Sequence, residues 1–347
     1  MMMPWELYHR HYMQLNRRRE KVDILSDKPV NITVNSKIEL LGVVQYLADD
    51  PTIIKENSQY INDIRDHFQS YKNDPVVHFY KELRKKGFAY HLPPKFMLFT
   101  DENLELKNDI HREEDLLKVL GSTETMNVFL SKLKEFKQKS SFEKFCKSQR
   151  SFYNSTLSFV TDEVRKSKCI QHLIAYYGYS QHSFTIVIHP CSIGGYAARI
   201  PFEGNTFDAY NFMVVPDSII EFIELVLHEF GHSYVNPLTR ENINLIYEYE
   251  YLFEPIKDSM RKQAYNTWEN CVNEHIVRAI TSRILFTMYG NEIAQSRIRM
   301  DIQRDFIYTD ILYDKLTEYE LERSRFPVLN DFYLYLLHSL KDIDVTI

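Results

Sequence analysis

The sequence predicts an α+β fold, predominantly helical, and two observations carry that prediction. Apolar residues make up 44% of the 347, with 24 Tyr and 22 Phe against only 9 Gly. Such a composition favours long helices and large side chains over a turn-rich all-β architecture. Only one region, Ser183–Asp217, shortens its apolar period and breaks it with turn signals, so a single small antiparallel sheet is expected there. A chain of this length holds one large domain or two ordinary ones. The composition changes at about Gln171, which suggests a mostly helical region over 1–170 packed on a second region over 171–347, or one continuous domain.

In chain order, about Trp5 to Glu20 reads as a polar-faced helix or an arm, and Lys28–Val34 as a short extended segment. Ser36–Asp49 places Ile38, Leu41, Val44 and Leu47 at helical spacing with Ser36 available as a cap. Further helices are expected over Tyr60–Tyr71, Pro75–Lys86 and His111–Leu120, with turns at Gly87–Pro94 and Gly121. Ser122–Phe136 and Ser141–Lys166 form two more, separated by the polar stretch Lys137–Ser140. The runs SFTIVIHP, YAARI and FDAYNFMVVPD, parted by turns at Ser192–Gly195 and Glu203–Asn205, read as three antiparallel strands. After Pro237 an acidic, tyrosine-rich segment leads to a long helix from about Lys257 to Met288 that stops at Gly290-Asn291. Ile293–Leu340 is helical with an aromatic close.

Several function classes are disfavoured by composition alone. A net charge of −6 offers no long-range pull towards nucleic acid, and no aromatic–basic motif appears. Runs such as Arg17-Arg18-Arg19 and Arg84-Lys85-Lys86 read as solvated helix faces. Cys146, Cys169, Cys191 and Cys271 lack CxxC spacing and read as free thiols, which favours a reducing compartment. There is no apolar run of eighteen, hence no membrane span, and the first residues are too polar and aromatic for a secretory signal. A cytoplasmic location is the expectation.

The stretch Ser218–Pro237, SIIEFIELVLHEFGHSYVNP, carries the chemistry. Ser218 and Glu221 stand at capping-box spacing. Ile219, Ile220, Phe222, Ile223, Leu225, Val226, Leu227 and Phe230 leave almost no polar face, so the helix should be buried. His228, Glu229 and His232 sit in its interior, where a charged carboxylate needs compensation. Four residues apart, both imidazoles leave the same side about one turn from each other, a spacing that suits a divalent metal. Glu229, about 100° round the helix from His228, reaches a water beside the metal rather than the metal. This is HExxH, the zinc-hydrolase pattern in which two histidines bind and the glutamate is the general base. Without a metal, the same histidines would need two separate hydrogen-bond partners in the core.

Catalytic zinc usually takes three protein ligands and a water. The metzincin continuation would need Gly at Val235 and His at Leu238, and neither is present. A glutamate from a second helix remains, with Glu248, Glu250, Glu254, Glu269 and Glu274 as candidates. Glu274 is favoured because it lies inside a long, otherwise apolar helix with Arg278 one turn on and Asn270 one turn back. Glu250 and Glu254, nearer in sequence, compete with it.

Here the chain resembles an uncharacterised bacterial family, catalogued as a domain of unknown function, whose members carry an HExxH helix and are read as gluzincin-like metalloproteases. The resemblance covers most of the chain. It includes IELLGVVQYLA at Ile38–Ala48, DPVVHFYKELRKKGF at Asp74–Phe88, HEFGHSYVNPL at His228–Leu238, NEHIVRA at Asn273–Ala279 and LTEYELERSRFPVLNDFY at Leu316–Tyr333. It implies a zincin-like catalytic region with one zinc ion at His228, His232 and Glu274, and Glu229 as base.

The expected activity is a zinc-dependent metallopeptidase acting on a peptide or protein substrate, the metal activating water and Glu229 moving its proton. An extended substrate would add as a strand to an exposed sheet edge. The oxyanion donor is open among Tyr196, Tyr234, Tyr265, His182, His189 and His275. Two alternatives stand: a deformylase-like amide hydrolase with Cys191 as third ligand, and a non-catalytic binding module with a structural zinc.

Overall fold

Short polar side chains set the ends of the principal helices. In the computed structural model, which describes residues 29–54, 58–341 and 343, Asn35 Oδ1 accepts from the Lys37 and Ile38 amides. The cap of the first helix is therefore Asn35 rather than Ser36. Ser58, Asp74, Ser122, Ser218 and Thr267 cap later helices in the same way. The expected element at Trp5–Glu20 lies outside the described residues.

The order is β1 (Val30–Val34), α1 (Ser36–Leu47), α2 (Gln59–Phe68), α3 (Pro75–Lys85), α4 (Leu92–Leu98), α5 (Glu114–Leu120) and α6 (Thr123–Lys139). Next come α7 (Phe142–Ser148), α8 (Arg150–Ser167), α9 (Cys169–Tyr177), β2 (Ser183–Ile188), β3 (Gly195–Pro201) and β4 (Phe207–Met213). The chain closes with α10 (Ile219–Glu241), α11 (Ile243–Glu248), α12 (Lys257–Lys262), α13 (Trp268–Tyr289), α14 (Asn291–Gln303), α15 (Thr309–Leu321) and α16 (Leu329–His338). The class is α+β and predominantly helical.

The sheet differs from the expected antiparallel meander. Its order is β1-β2-β4-β3, with β1 parallel to β2, β2 parallel to β4, and only β3 antiparallel to β4. β2 is buried from Phe184 to Ile188, the pattern of an interior strand covered on both faces. The chain passes from β2 to the outer edge as β3, then returns as β4 between them. Turn signals predicted the strands but not which of them pair.

Two helical expectations also change. The helix expected from Lys257 to Met288 is interrupted after Lys262, where Ala264 takes a left-handed φ of 72°, and restarts at Trp268 under the Thr267 cap. Ser141–Lys166 likewise divides at Gln149. In the expected turn at Gly87–Pro94, Pro93 and Pro94 instead open α4, since the first turn needs no amide from proline.

The sheet is a wall between two cores. Val187, Ala198 and Phe212 face a core built from α1–α7, whereas Phe184, Ile186, Ile188, Ala209 and Met213 face one built from α8–α16. Alternation along β2 and β4 puts successive residues into opposite cores. α10 lies in the second core, against β3 and β4 on one side and α13 on the other.

Candidate metal centre

α10 is buried on nearly every side, so its polar residues need local partners. It runs past Pro237, where the sequence suggested an end. Proline cannot donate to the Ser233 carbonyl, and Gln181 Nε2 bonds that carbonyl instead at 3.2 Å. Gly231 lets neighbouring helices close in: a Cβ there would lie 3.0 Å from Tyr177 Oη and 3.1 Å from Val277 Cγ1. Val277 is on α13, so this approach brings Glu274 within reach of α10.

His228, His232 and Glu274 meet. The two Nε2 atoms are 3.2 Å apart, His228 Nε2 lies 3.2 Å from Glu274 Oε1, and His232 Nε2 lies 3.5 Å from Glu274 Oε2. These three residues form a group whose ligand atoms could hold a metal ion. His232 Nδ1–H donates to Asn236 Oδ1 at 3.1 Å, which leaves Nε2 as the free lone pair. Arg278 Nη2 donates to Glu274 Oε1 at 2.7 Å, while its Nη1 reaches Asp301 Oδ1 at 2.5 Å and its guanidinium lies over the Phe306 ring. Asn270 is exposed on the rim of the cleft and makes no hydrogen bond to Glu274 among the described residues.

Burial alone would push the Glu274 carboxyl up, but His228 and Arg278 outweigh it and hold it well below the usual carboxylate range. Burial opposes a charge on His228, yet the Glu274 carboxylate raises its pKa above the ordinary value. His232, buried and beside His228, is lowered to about 4. Glu229 is pushed up to about 7, chiefly by burial. It lies against β3, where a Cβ on Gly195 would stand 2.8 Å from its Cγ.

The cluster opens onto a cleft of about 860 Å³ between β3 and the α12–α13 connection. Of the six candidate oxyanion donors, Tyr196 and Tyr265 line it. Tyr265 sits beside Glu274 and Arg278, and burial above all raises its phenol well above the ordinary value. Tyr234 is buried and stacked on Tyr177 with centroids 4.0 Å apart. His275 is buried with Nδ1 donating to the Cys271 carbonyl. His189 is buried near Glu39 behind the sheet, and His182 pairs with Asp208. Cys191 packs in the core behind the sheet, so it does not join the cluster. Nor do the competing glutamates: Glu248, Glu250 and Glu254 are exposed and Glu269 is half-buried, all of them off the cleft.

Sequence reading missed Gly195, Asn236, Arg199 and Asp301. Asn236 was legible, standing four residues after His232 on the same helix face. Asp301 carried no signal, because α14 brings it to Arg278 only through the tertiary fold.

The fold and site together define a predominantly helical α+β protein with two half-buried histidines meeting a buried glutamate beside an open cleft. The chain belongs to the family described as a domain of unknown function (DUF4932), whose model matches residues 30–338. No curated protein and no solved structure matches it. None of the helices described is long and apolar enough to cross a membrane.

Proposed function

We propose that this chain is a zinc-dependent metallopeptidase of the gluzincin type, with His228, His232 and Glu274 as ligands and Glu229 as general base. The observation that carries this reading is the ligand spacing. A tetrahedral zinc with bonds of about 2.0–2.1 Å separates its ligand atoms by about 3.3–3.4 Å. Here the two Nε2 atoms stand 3.2 Å apart, and the Glu274 carboxylate offers one oxygen to each imidazole, Oε1 at 3.2 Å from His228 Nε2 and Oε2 at 3.5 Å from His232 Nε2. The donor set of two imidazoles and one carboxylate also suits zinc.

Bound there, zinc would supply Lewis acidity towards a peptide carbonyl and lower the pKa of an adjacent water. Glu229 is held against the edge strand by its fit to Gly195, with its carboxyl facing the same cleft. It would take a proton from that water and return it to the leaving amine, work for which a group near neutrality is suited. β3 is an outer strand of the sheet beside the cleft, so an extended peptide can pair with its main chain. Of the candidate donors, the phenols of Tyr196 and Tyr265 line the cleft where an oxyanion would develop. Arg278, tied to Asp301, fixes the Glu274 carboxylate.

Glu229→Gln keeps the size of the side chain and removes the base. The expected result is one equivalent of zinc retained with hydrolysis of a peptide library abolished. Undiminished hydrolysis by that variant would dispose of the mechanism.

A further inference from the structure

Among the described residues, the cleft contains one half-buried cation without an ion-pair partner. Lys95 meets Glu113 at 2.5 Å and Asp115 at 2.8 Å, Arg278 meets Asp301 and Glu274, and Arg297 meets Glu224 at 2.7 Å. Arg304, on the rim, is exposed, with its guanidinium over the Phe306 ring. Arg199 differs from all of these. Its Nη1 donates to the His232 carbonyl at 2.9 Å and its guanidinium lies over the Phe207 ring, 5.5 Å from the centroid. No carboxylate makes an ion pair with it among the described residues. Asp115 acts on it only at longer range and is already held by Lys95. Withdrawing a guanidinium from water costs free energy unless something compensates it, and one main-chain carbonyl is weak compensation.

Position adds to this. Residues 195, 197 and 199 of β3 share one face, the face that looks at α10. Gly195 lies against Glu229 and Arg199 bonds the backbone of His232, so the strand passes the metal-binding cluster between them. Two residues of strand span about 7 Å, which separates Arg199 from the level of Ala197 by one side-chain repeat. An extended peptide paired with β3 would carry side chains at the same repeat.

We propose that Arg199 is the anchor for a carboxylate of the substrate, holding it about two residues from the bond presented to His228, His232 and Glu274. The inference rests on the peptidase reading for what the bond is, but the binding itself can be measured apart from cleavage. An arginine fork pairs a carboxylate through two parallel N–H bonds, and here the donors other than Nη1 are free to do so. The carboxylate can come from an internal acidic side chain or from a peptide C-terminus, and the two sources imply internal cutting or trimming from that end.

The test uses the zinc-loaded full chain carrying Glu229→Gln, with binding read by fluorescence anisotropy. One peptide set is N-acetylated and C-amidated, with glutamate or glutamine at each position in turn; a second set has a free C-terminus and no acidic side chain. The expected result is that one source binds at least about tenfold more tightly than its neutral counterpart. Adding Arg199→Gln should abolish that preference, while Arg199→Lys should restore part of it. Thermal melts confirm that the variants fold. No acid-dependent binding, or a preference that survives Arg199→Gln, overturns the inference. Acid-dependent binding by a chain that cuts no peptide would leave the inference standing and remove the peptidase reading instead.

Discussion

Arg278→Met tests whether the buried arginine neutralises the Glu274 carboxylate or serves only as packing. Arg278 bonds Glu274 at 2.7 Å and Asp301 at 2.5 Å, and Glu274 is only 4% exposed. The methionine keeps much of the volume over Phe306 but strands two buried carboxylates. Breaking a buried pair in this way costs about 3–5 kcal/mol. For 347 residues, unfolding entropy of about 2.1 cal/mol/K per residue gives about 0.7 kcal/mol/K, so the metal-free protein should melt about 4–7 °C lower. Zinc bound at the cluster would supply the missing positive charge directly to Glu274. Saturating zinc should therefore raise the melting temperature of the variant more than that of the wild type, recovering most of the loss. Arg278→Lys, which retains the charge, should fall between the two. The assay is differential scanning calorimetry after chelation and again after zinc addition. An unchanged melting temperature in the chelated variant, or a deficit that zinc does not reduce, refutes neutralisation as the role of Arg278.

Two further outcomes follow from packing and burial. Gly195→Ala puts a methyl 2.8 Å from Glu229 Cγ and 2.9 Å from Leu225 Cδ1; overpacking of this kind costs about 1–3 kcal/mol, and moving the base by about 1 Å should lower hydrolysis about 100-fold. Elemental analysis should still find one zinc, since no ligand is touched, and full activity would contradict the placement of Glu229. Burial raises Cys146 and Cys271 to about 12 and Cys169 to about 11, with Cys191 well above its ordinary value. Because only the thiolate reacts, native protein at neutral pH should label slowly with iodoacetamide at all four positions and fully once denatured; rapid labelling of any one would show that thiol is not shielded as described.

The site was more legible than the sheet, for a physical reason. HExxH and the glutamate with an arginine one turn on are local patterns, and helix periodicity fixes which side chains share a face. Ser218, Glu229 and Glu274 could thus be placed from spacing and burial. Strand partners depend on contacts far apart in sequence. β1, from the N-terminal region, joins β2 across about 150 residues, and nothing local announces that it does. The break before Trp268 was missed because the apolar stripe of α13 continues the period of the residues before it. Thr267 is the residue that marks the true start, and an N-cap threonine can be read from sequence. Arg199 and Asp301 acquire meaning only through tertiary neighbours.

The most direct test of the metal centre is zinc content after purification and dialysis of the full chain, measured by elemental analysis beside single variants. One equivalent is expected in the wild type and in Glu229→Gln, and none retained in His228→Ala or Glu274→Ala. A full equivalent of zinc in Glu274→Ala would contradict this ligand set.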